Sequence, residues 1–185
     1  MLKKMFTFFL IGTLAVMLTT LPGCQADGCG CPPLWTPFQD NCYRYFSVKN
    51  ITWLGAEMHC SSFSVPCTGV DAPLSLGHLT SIHSKEEMDF LAVTYEDLRS
   101  KVITSFTRVW IGLHDKSTEG SWKWSDGSSV DYEKWESGQP NSYQGDQDCA
   151  EFHSSNEYTW NDLACDTDND SDFTVTGYIC KLPQW

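Results

Sequence analysis

Nine cysteines stand in 185 residues that open on a leader of secretory type, and this pairing limits the folds open to the chain more than any other feature. Lys3 and Lys4 precede an apolar run from Met5 to Leu18, and small residues lie near Ala26. A basic start, a short apolar core and a small-residue end make a secretory signal peptide, with Leu21-Pro22-Gly23-Cys24 resembling a bacterial lipoprotein box as the lesser alternative. The run falls short of the about 20 apolar residues that span a bilayer, and no second stretch approaches that length. Cleavage is expected after Ala26, so residues 1–26 form the leader and residues 27–30 a short N-terminal segment. It removes Cys24 and leaves an even set of cysteines at 29, 31, 42, 60, 67, 149, 165 and 180. In an oxidising compartment these read as a disulfide framework rather than as thiols for metal or catalysis. Export also makes Asn50-Ile51-Thr52 an acceptor for N-glycosylation, with Asn169-Asp170-Ser171 a weaker one.

Charge narrows the partners. The formal net charge is −12, and loss of Lys3 and Lys4 with the leader makes the secreted chain more acidic still. Nucleic acid binding rests on clustered Lys and Arg, and a polybasic membrane contact needs the same, so both are excluded. An acidic surface suits calcium, cationic partners or solubility. The hydrophobic fraction of 41% is ample for a packed core.

The two halves differ in pattern. In the first, Cys42-Tyr43-Arg44-Tyr45-Phe46 reads as a strand. Thr52 to Ser62 reads as a helix with Trp53, Ala56 and Cys60 on one face. Ser84-Lys85-Glu86-Glu87 is a capping box opening a second helix to about Arg99, with Met88, Leu91, Ala92 and Tyr95 turned inward. Val109-Trp110-Ile111-Gly112-Leu113 is a buried central strand. From His114 to Asn161, polar residues, Gly and Trp dominate. Short strands at Trp122–Trp124, Cys149–Phe152, Tyr158–Trp160 and Tyr178–Lys181 are separated by long loops. Loops of that length inside a domain are usually functional, so the front half reads as scaffold and the back half as a site.

The order of the landmarks is more specific than any one of them. Cys31 is followed by Trp35 and Cys42-Tyr43, then by Trp53, Ala56-Glu57 and Cys60, and by Leu79 before the capping box. Trp110-Ile111-Gly112-Leu113, Trp122-Lys123-Trp124-Ser125-Asp126-Gly127, and Trp135 with Gly138-Gln139-Pro140-Asn141 follow. Cys149, Trp160-Asn161-Asp162, Cys165 and Tyr178-Ile179-Cys180 complete the series. Over residues 31–182 this resembles the C-type lectin-like domain, and Trp35 with the segment 62–66 is most similar to lectins of echinoderm body fluid. The resemblance implies an α+β fold, with two helices flanking antiparallel sheets beneath a long calcium-binding loop region. It also implies the bridges Cys31–Cys42, Cys60–Cys180 and Cys149–Cys165. Cys29 and Cys67 stay unassigned: they pair with each other, or Cys29 links two chains into a homodimer.

The same resemblance implies a calcium that binds sugar through Gln139, Asn141, Gln147, Asn161 and Asp162, with Pro140 in the cis form. Calcium takes six to eight oxygen ligands, amide carbonyls among them. The chain departs from the family pattern in two ways. Gln139-Pro140-Asn141 lacks the carboxylate that the usual Glu-Pro-Asn and Gln-Pro-Asp motifs each carry, and position 147 holds Gln in place of Glu. The set therefore carries a single formal charge, on Asp162, and weaker calcium binding is expected. Carboxylates also accept sugar hydroxyl protons, whereas amides whose oxygens face the ion offer only N–H donors. Gln139 points to galactose-type glycans and Asn141 to mannose-type ones. Tyr143, placed where an aromatic ring can stack on galactose, tips the reading to galactose. An accessory calcium position would use Asp115, Glu119, Gln147 and Asp148.

Other readings are plainer. Trp110, Trp122, Trp124, Trp135 and Trp160 are expected in the core. The histidines show no zinc spacing and the serines no nucleophile elbow, so no catalytic residue and no enzyme activity are expected. Asp166, Asp168, Asp170 and Asp172 read as a solvated acidic loop. The expected function is a secreted, extracellular, calcium-dependent lectin that recognises or agglutinates microbes in innate immunity. The alternative is a structural or mineral-matrix protein using this fold without sugar.

Overall fold

The structure is a computed structural model and describes residues 30–64, 75–101, 108–153, 157–166 and 175–184. Within them lie strands β1 (Thr36–Phe38), β2 (Asn41–Phe46), β3 (His78–Leu79), β4 (Arg108–His114), β5 (Lys123–Trp124), β6 (Cys149–His153), β7 (Thr159–Leu163) and β8 (Gly177–Pro183), with helices α1 (Trp53–Cys60) and α2 (Lys85–Lys101). The strands form one sheet in the order β1-β2-β8-β4-β6-β7, and β3 and β5 join it at β8 and β4. The antiparallel expectation needs one correction. β8 runs antiparallel to β2 and parallel to β4, pairing Val109 with Gly177 and Trp110 with Tyr178. Parallel neighbours need a long crossover, and everything between β4 and β8 supplies it.

Both faces of the sheet are covered, which explains the unbroken apolar run of β4. Side chains alternate across a strand. Val109, Ile111 and Leu113 therefore enter one core with Met88, Leu91 and Tyr95 of α2, while Trp110 enters the other with Trp53, Ala56 and Cys60 of α1. β2 divides likewise, Tyr43 to the first core and Cys42 to the second. Gly112 sits where strands crowd: a Cβ there would meet the Leu79 carbonyl oxygen at 2.6 Å.

The Thr52 hydroxyl accepts the Gly55 N–H at 3.0 Å and starts α1. The Ser84 hydroxyl accepts the Glu87 N–H at 3.1 Å and starts α2. Glu87 closes its half of the cap on His83 N–H, at 2.7 Å, and then does something the helical pattern did not reveal. It is buried, accepting from Tyr43 at 2.5 Å and from Lys181 at 2.7 Å. Ala92, expected on that inner face, is only half-buried. The structure forms the bridges Cys31–Cys42, Cys60–Cys180 and Cys149–Cys165. Cys29 and Cys67 lie outside the described residues, as do the leader and most of the acidic run from Asp166 to Asp172.

Glu57 of α1 ties three elements together. Its carboxylate accepts from His78 at 2.6 Å, from Leu79 N–H at 2.8 Å and from Ser125 at 3.0 Å. The Glu57 bond holds the His78 imidazole above its ordinary pKa, with burial opposing. A raised histidine contributes stability that is complete below the ordinary value and fades as pH rises through the folded one. His78→Gln is therefore expected to lower the melting temperature most at about pH 5.5 and least at about pH 8.5, either side of the free histidine value. A deficit that stays constant across that range would show that His78 contributes no charged pair.

Candidate functional site

The long loop is fastened to β7 before it reaches its motif. Trp135 bridges to Trp160: the Trp160 N–H donates to the Lys134 carbonyl, and the Glu136 N–H to the Trp160 carbonyl, each at 2.8 Å. Trp124, Tyr132 and Trp135 meet the Trp160 ring edge-on at 5.7, 5.9 and 5.9 Å. Trp110, Trp124 and Trp160 are buried, and Trp122 and Trp135 pack half-buried beside Trp124 and Trp160. From this anchor the chain turns at Gly138, whose φ of 91° suits glycine, and passes through the cis Gln139–Pro140 bond.

Asn161 and Asp162 lie inside a strand. The sequence placed the strand over Tyr158–Trp160, but β7 runs from Thr159 to Leu163 against β6, with Glu151 opposite Asn161 and Ala150 opposite Asp162. The ladder and the Cys149–Cys165 bridge at its end hold two residues of poor strand propensity in place. Asp162 is fully buried. Its Oδ2 accepts the N–H groups of Asn141 at 3.0 Å and Ser142 at 2.6 Å, which brings the motif loop onto the strand. Its Oδ1 is buried without a partner, and so is Gln139 Oε1. Asn161 Nδ2 donates to Glu151 Oε1 at 3.2 Å and to the Asp162 carbonyl at 2.9 Å. Gln147 Oε1 accepts the Tyr143 N–H at 2.8 Å and closes a 3-10 turn over Tyr143–Gly145. Tyr143 stands out from that turn, 63% exposed, and Asn141 is exposed too.

The residues of the accessory position are neighbours. Asp115 is buried, its Oδ2 accepting the Gly120 N–H at 2.7 Å and its Oδ1 left without a partner. Its own N–H donates to the Asp148 carbonyl at 3.0 Å. Burial pushes the Asp115 carboxyl up, the Gly120 N–H opposes this, and the charges of Glu119 and Asp148 add to it. Glu119 accepts from Ser142 at 3.2 Å, linking this region to the motif loop. Among the described residues no three His, Cys, Asp or Glu side chains are grouped to hold a metal. Asp115, Glu119 and Asp148 are therefore not such a group, and the residues expected at the sugar site are mostly amides.

Among the described residues the remaining partnerless buried polar side-chain atoms are His114 Nδ1, Glu151 Oε2 and the indole nitrogens of Trp124 and Trp160. Ser142 and Glu151 are the site residues that the sequence reading missed. Ser142 carries no signal. Glu151 did carry one: an acid inside the apolar strand Cys149-Ala150-Glu151-Phe152 must find a buried partner. That partner is Arg108, in an ion pair with Oε1. Burial pushes the Glu151 carboxyl up, and the Arg108 guanidinium and the Asn161 amide pull it back.

One further group has the hydrogen bonds of a hydrolase triad. His83 lies 3.1 Å from Ser81 Oγ and 2.8 Å from Asp131 Oδ1. Ser81 is buried, however, and gives its proton to Asp126 at 2.5 Å, so its oxygen is not presented as a nucleophile.

A model of the lectin C-type domain matches residues 71–181. The chain is 40% identical over 159 residues to echinoidin of Heliocidaris crassispina, covering 85% of this chain and 99% of that protein. It is 36% identical over 167 residues to the alpha-N-acetylgalactosamine-specific lectin of Patiria pectinifera, covering 86% and 87%. Among solved structures, the C-type lectin CEL-I from Cucumaria echinata superposes with a TM-score of 0.66 at 32% identity, covering 82% of this chain and 96% of that one. The fold, the tryptophan-anchored motif loop and these relatives agree: the chain belongs to the C-type lectin domain family.

Proposed function

We propose that this chain is a secreted, calcium-dependent lectin for galactose-type glycans, acting in recognition or agglutination of microbes. The observation that carries the reading is the pair of buried, partnerless oxygens, Asp162 Oδ1 and Gln139 Oε1, on residues at the family's ligand positions. A buried carboxylate oxygen without a partner is costly unless a cation meets it, and a set of amide and carboxylate oxygens is what calcium takes. Asp162 supplies the charge, and Gln139, Asn141, Asn161 and Gln147 supply neutral oxygens. When bound, calcium supplies a Lewis-acidic centre for two neighbouring sugar hydroxyls. The side-chain N–H groups of Gln139 and Asn141 donate to those hydroxyls, and the exposed Tyr143 ring offers its face to the apolar side of galactose. An accessory calcium that orders the loop would have to draw Glu119 and Asp148 in beside Asp115, whose Oδ1 is buried without a partner.

The name of the Patiria relative, specific for alpha-N-acetylgalactosamine, supports the galactose-type reading. The mineral-matrix alternative gains no such support. Among the described residues no helix is long and apolar enough to cross a membrane. Asn50 is exposed, in keeping with a glycan there. Cys29 is proposed to join two chains, and two sites in one molecule raise weak single-site affinity by avidity.

The test is retention of the protein on galactose, N-acetylgalactosamine and mannose resins in millimolar calcium, with elution by a chelator. Release from the galactose-type resins is expected, and an intact protein retained by none of them overturns the reading. Gln147→Glu should tighten calcium by about tenfold, because a charged oxygen replaces a neutral one in the set. Unchanged affinity in titration calorimetry removes Gln147 from the ligands.

A further inference from the structure

Asn161 has two chemically different ends, and only one of them can ligate a cation. Which end faces the site is decided by what holds the other. Glu151 Oε1, at 3.2 Å from Nδ2, and the Asp162 carbonyl, at 2.9 Å, are both acceptors. Two acceptors on one side require the amide N–H groups there, so the carbonyl Oδ1 turns the other way. Glu151 is placed for this by register, as the direct partner of Asn161 across the β6–β7 ladder. It is held there by burial and by Arg108 of β4, an ion pair in which the Arg108 side chain is 16% exposed and that of Glu151 fully buried.

We infer that Glu151, fixed by Arg108, is a positioning residue of the sugar site, which sets the Asn161 amide with its oxygen toward the calcium. The inference rests on Asn161 being a ligand. Only the Oε1 of Glu151 has partners, since Oε2 has none. An acceptor at the Oε1 position is therefore what the device needs, and a glutamine can place its carbonyl oxygen there. The set has one charged ligand, so each neutral ligand matters more, and a misoriented amide would aim N–H donors at the ion.

The test uses Glu151→Met, which removes the acceptor, and Glu151→Gln, which keeps it. In metal-free, nitrogen-15-labelled protein, the Asn161 side-chain N–H groups should exchange with solvent at least about tenfold more slowly than those of exposed Asn141 in wild type and Glu151→Gln. That protection should be lost in Glu151→Met. Calcium affinity by calorimetry should fall about 10–100-fold in Glu151→Met, the usual effect of losing a partner that orients a ligand, and stay within about threefold in Glu151→Gln. If Glu151→Met does not fold, Arg108→Met/Glu151→Met removes both charges of the pair and is read instead. Preserved Asn161 protection and calcium affinity in the Met variant overturn the inference, as does an equal loss in both variants, which would mean that charge and not orientation matters. Wild type that binds no calcium refutes the lectin reading by itself, while the exchange measurement still reports whether Glu151 orients Asn161.

Discussion

Asp162→Asn is expected to abolish calcium-dependent retention on sugar resin while the domain stays folded. Asp162 is the only charged member of the proposed set, and it has two separate tasks. Oδ2 takes the N–H groups of Asn141 and Ser142, and Oδ1 is buried with no partner. An asparagine has one oxygen for these two positions. If the oxygen keeps the two N–H groups, the amide NH2 faces the ion. If it faces the ion, the amide NH2 confronts two donors and the motif loop leaves β7. Either way the sugar site fails. The metal-free protein should lose about 1.5–3 kcal/mol, the value of hydrogen bonds to a charged group, which the bridges and two cores tolerate. The measurement is resin retention beside thermal melts with and without calcium. Asp115, Glu119 and Asp148 are untouched, so part of the stabilisation by calcium should survive. Undiminished retention by the variant would place the sugar site elsewhere.

The largest loss of stability is expected from Cys60→Ala/Cys180→Ala. These residues are 120 positions apart, and closing a loop of that size is worth about 5 kcal/mol in the chain-entropy model. Both sulfurs are fully buried, joining the end of α1 to β8 between Trp53, Leu79 and Tyr178. A domain of this size holds only about 5–15 kcal/mol in all, so the variant should be close to unfolding at body temperature. The Cys31–Cys42 bridge spans 11 positions, and its removal should cost about 3 kcal/mol on the same model. Urea unfolding of the two variants gives the comparison. Equal losses would show that native-state packing and not loop closure dominates.

Local pattern carried some elements fully. The capping box at Ser84 and the spacing of Trp53, Ala56 and Cys60 lie within one or two turns of chain, so helices α1 and α2 were legible. So was β4, whose length and apolarity require burial on both faces. β1 and β3 were missed because strands of three and two residues have no period to read. β7 was drawn short because Asn161 and Asp162 look like loop residues until β6 lies beside them. Glu87 and Glu151 were missed for another reason. Each is a burial made affordable by a cation far along the chain, Lys181 for one and Arg108 for the other.

By itself the sequence determined the class of protein. An ordered series of Cys and Trp landmarks, an acidic charge and a Gln-Pro-Asn motif with Asn-Asp after Trp160 are properties of composition and spacing, and spacing survives in a linear string. Only the tertiary structure decided how the proposed ligands are presented. It set Asp162 with one oxygen on the motif loop and one without a partner, it turned the Asn161 amide by the oxygen of Glu151, and it kept Gln147 on the Tyr143 N–H. The physical reason is that an amide or a carboxylate has ends of different chemistry, and which end faces a ligand is settled by hydrogen bonds to groups that folding alone brings within 3.2 Å.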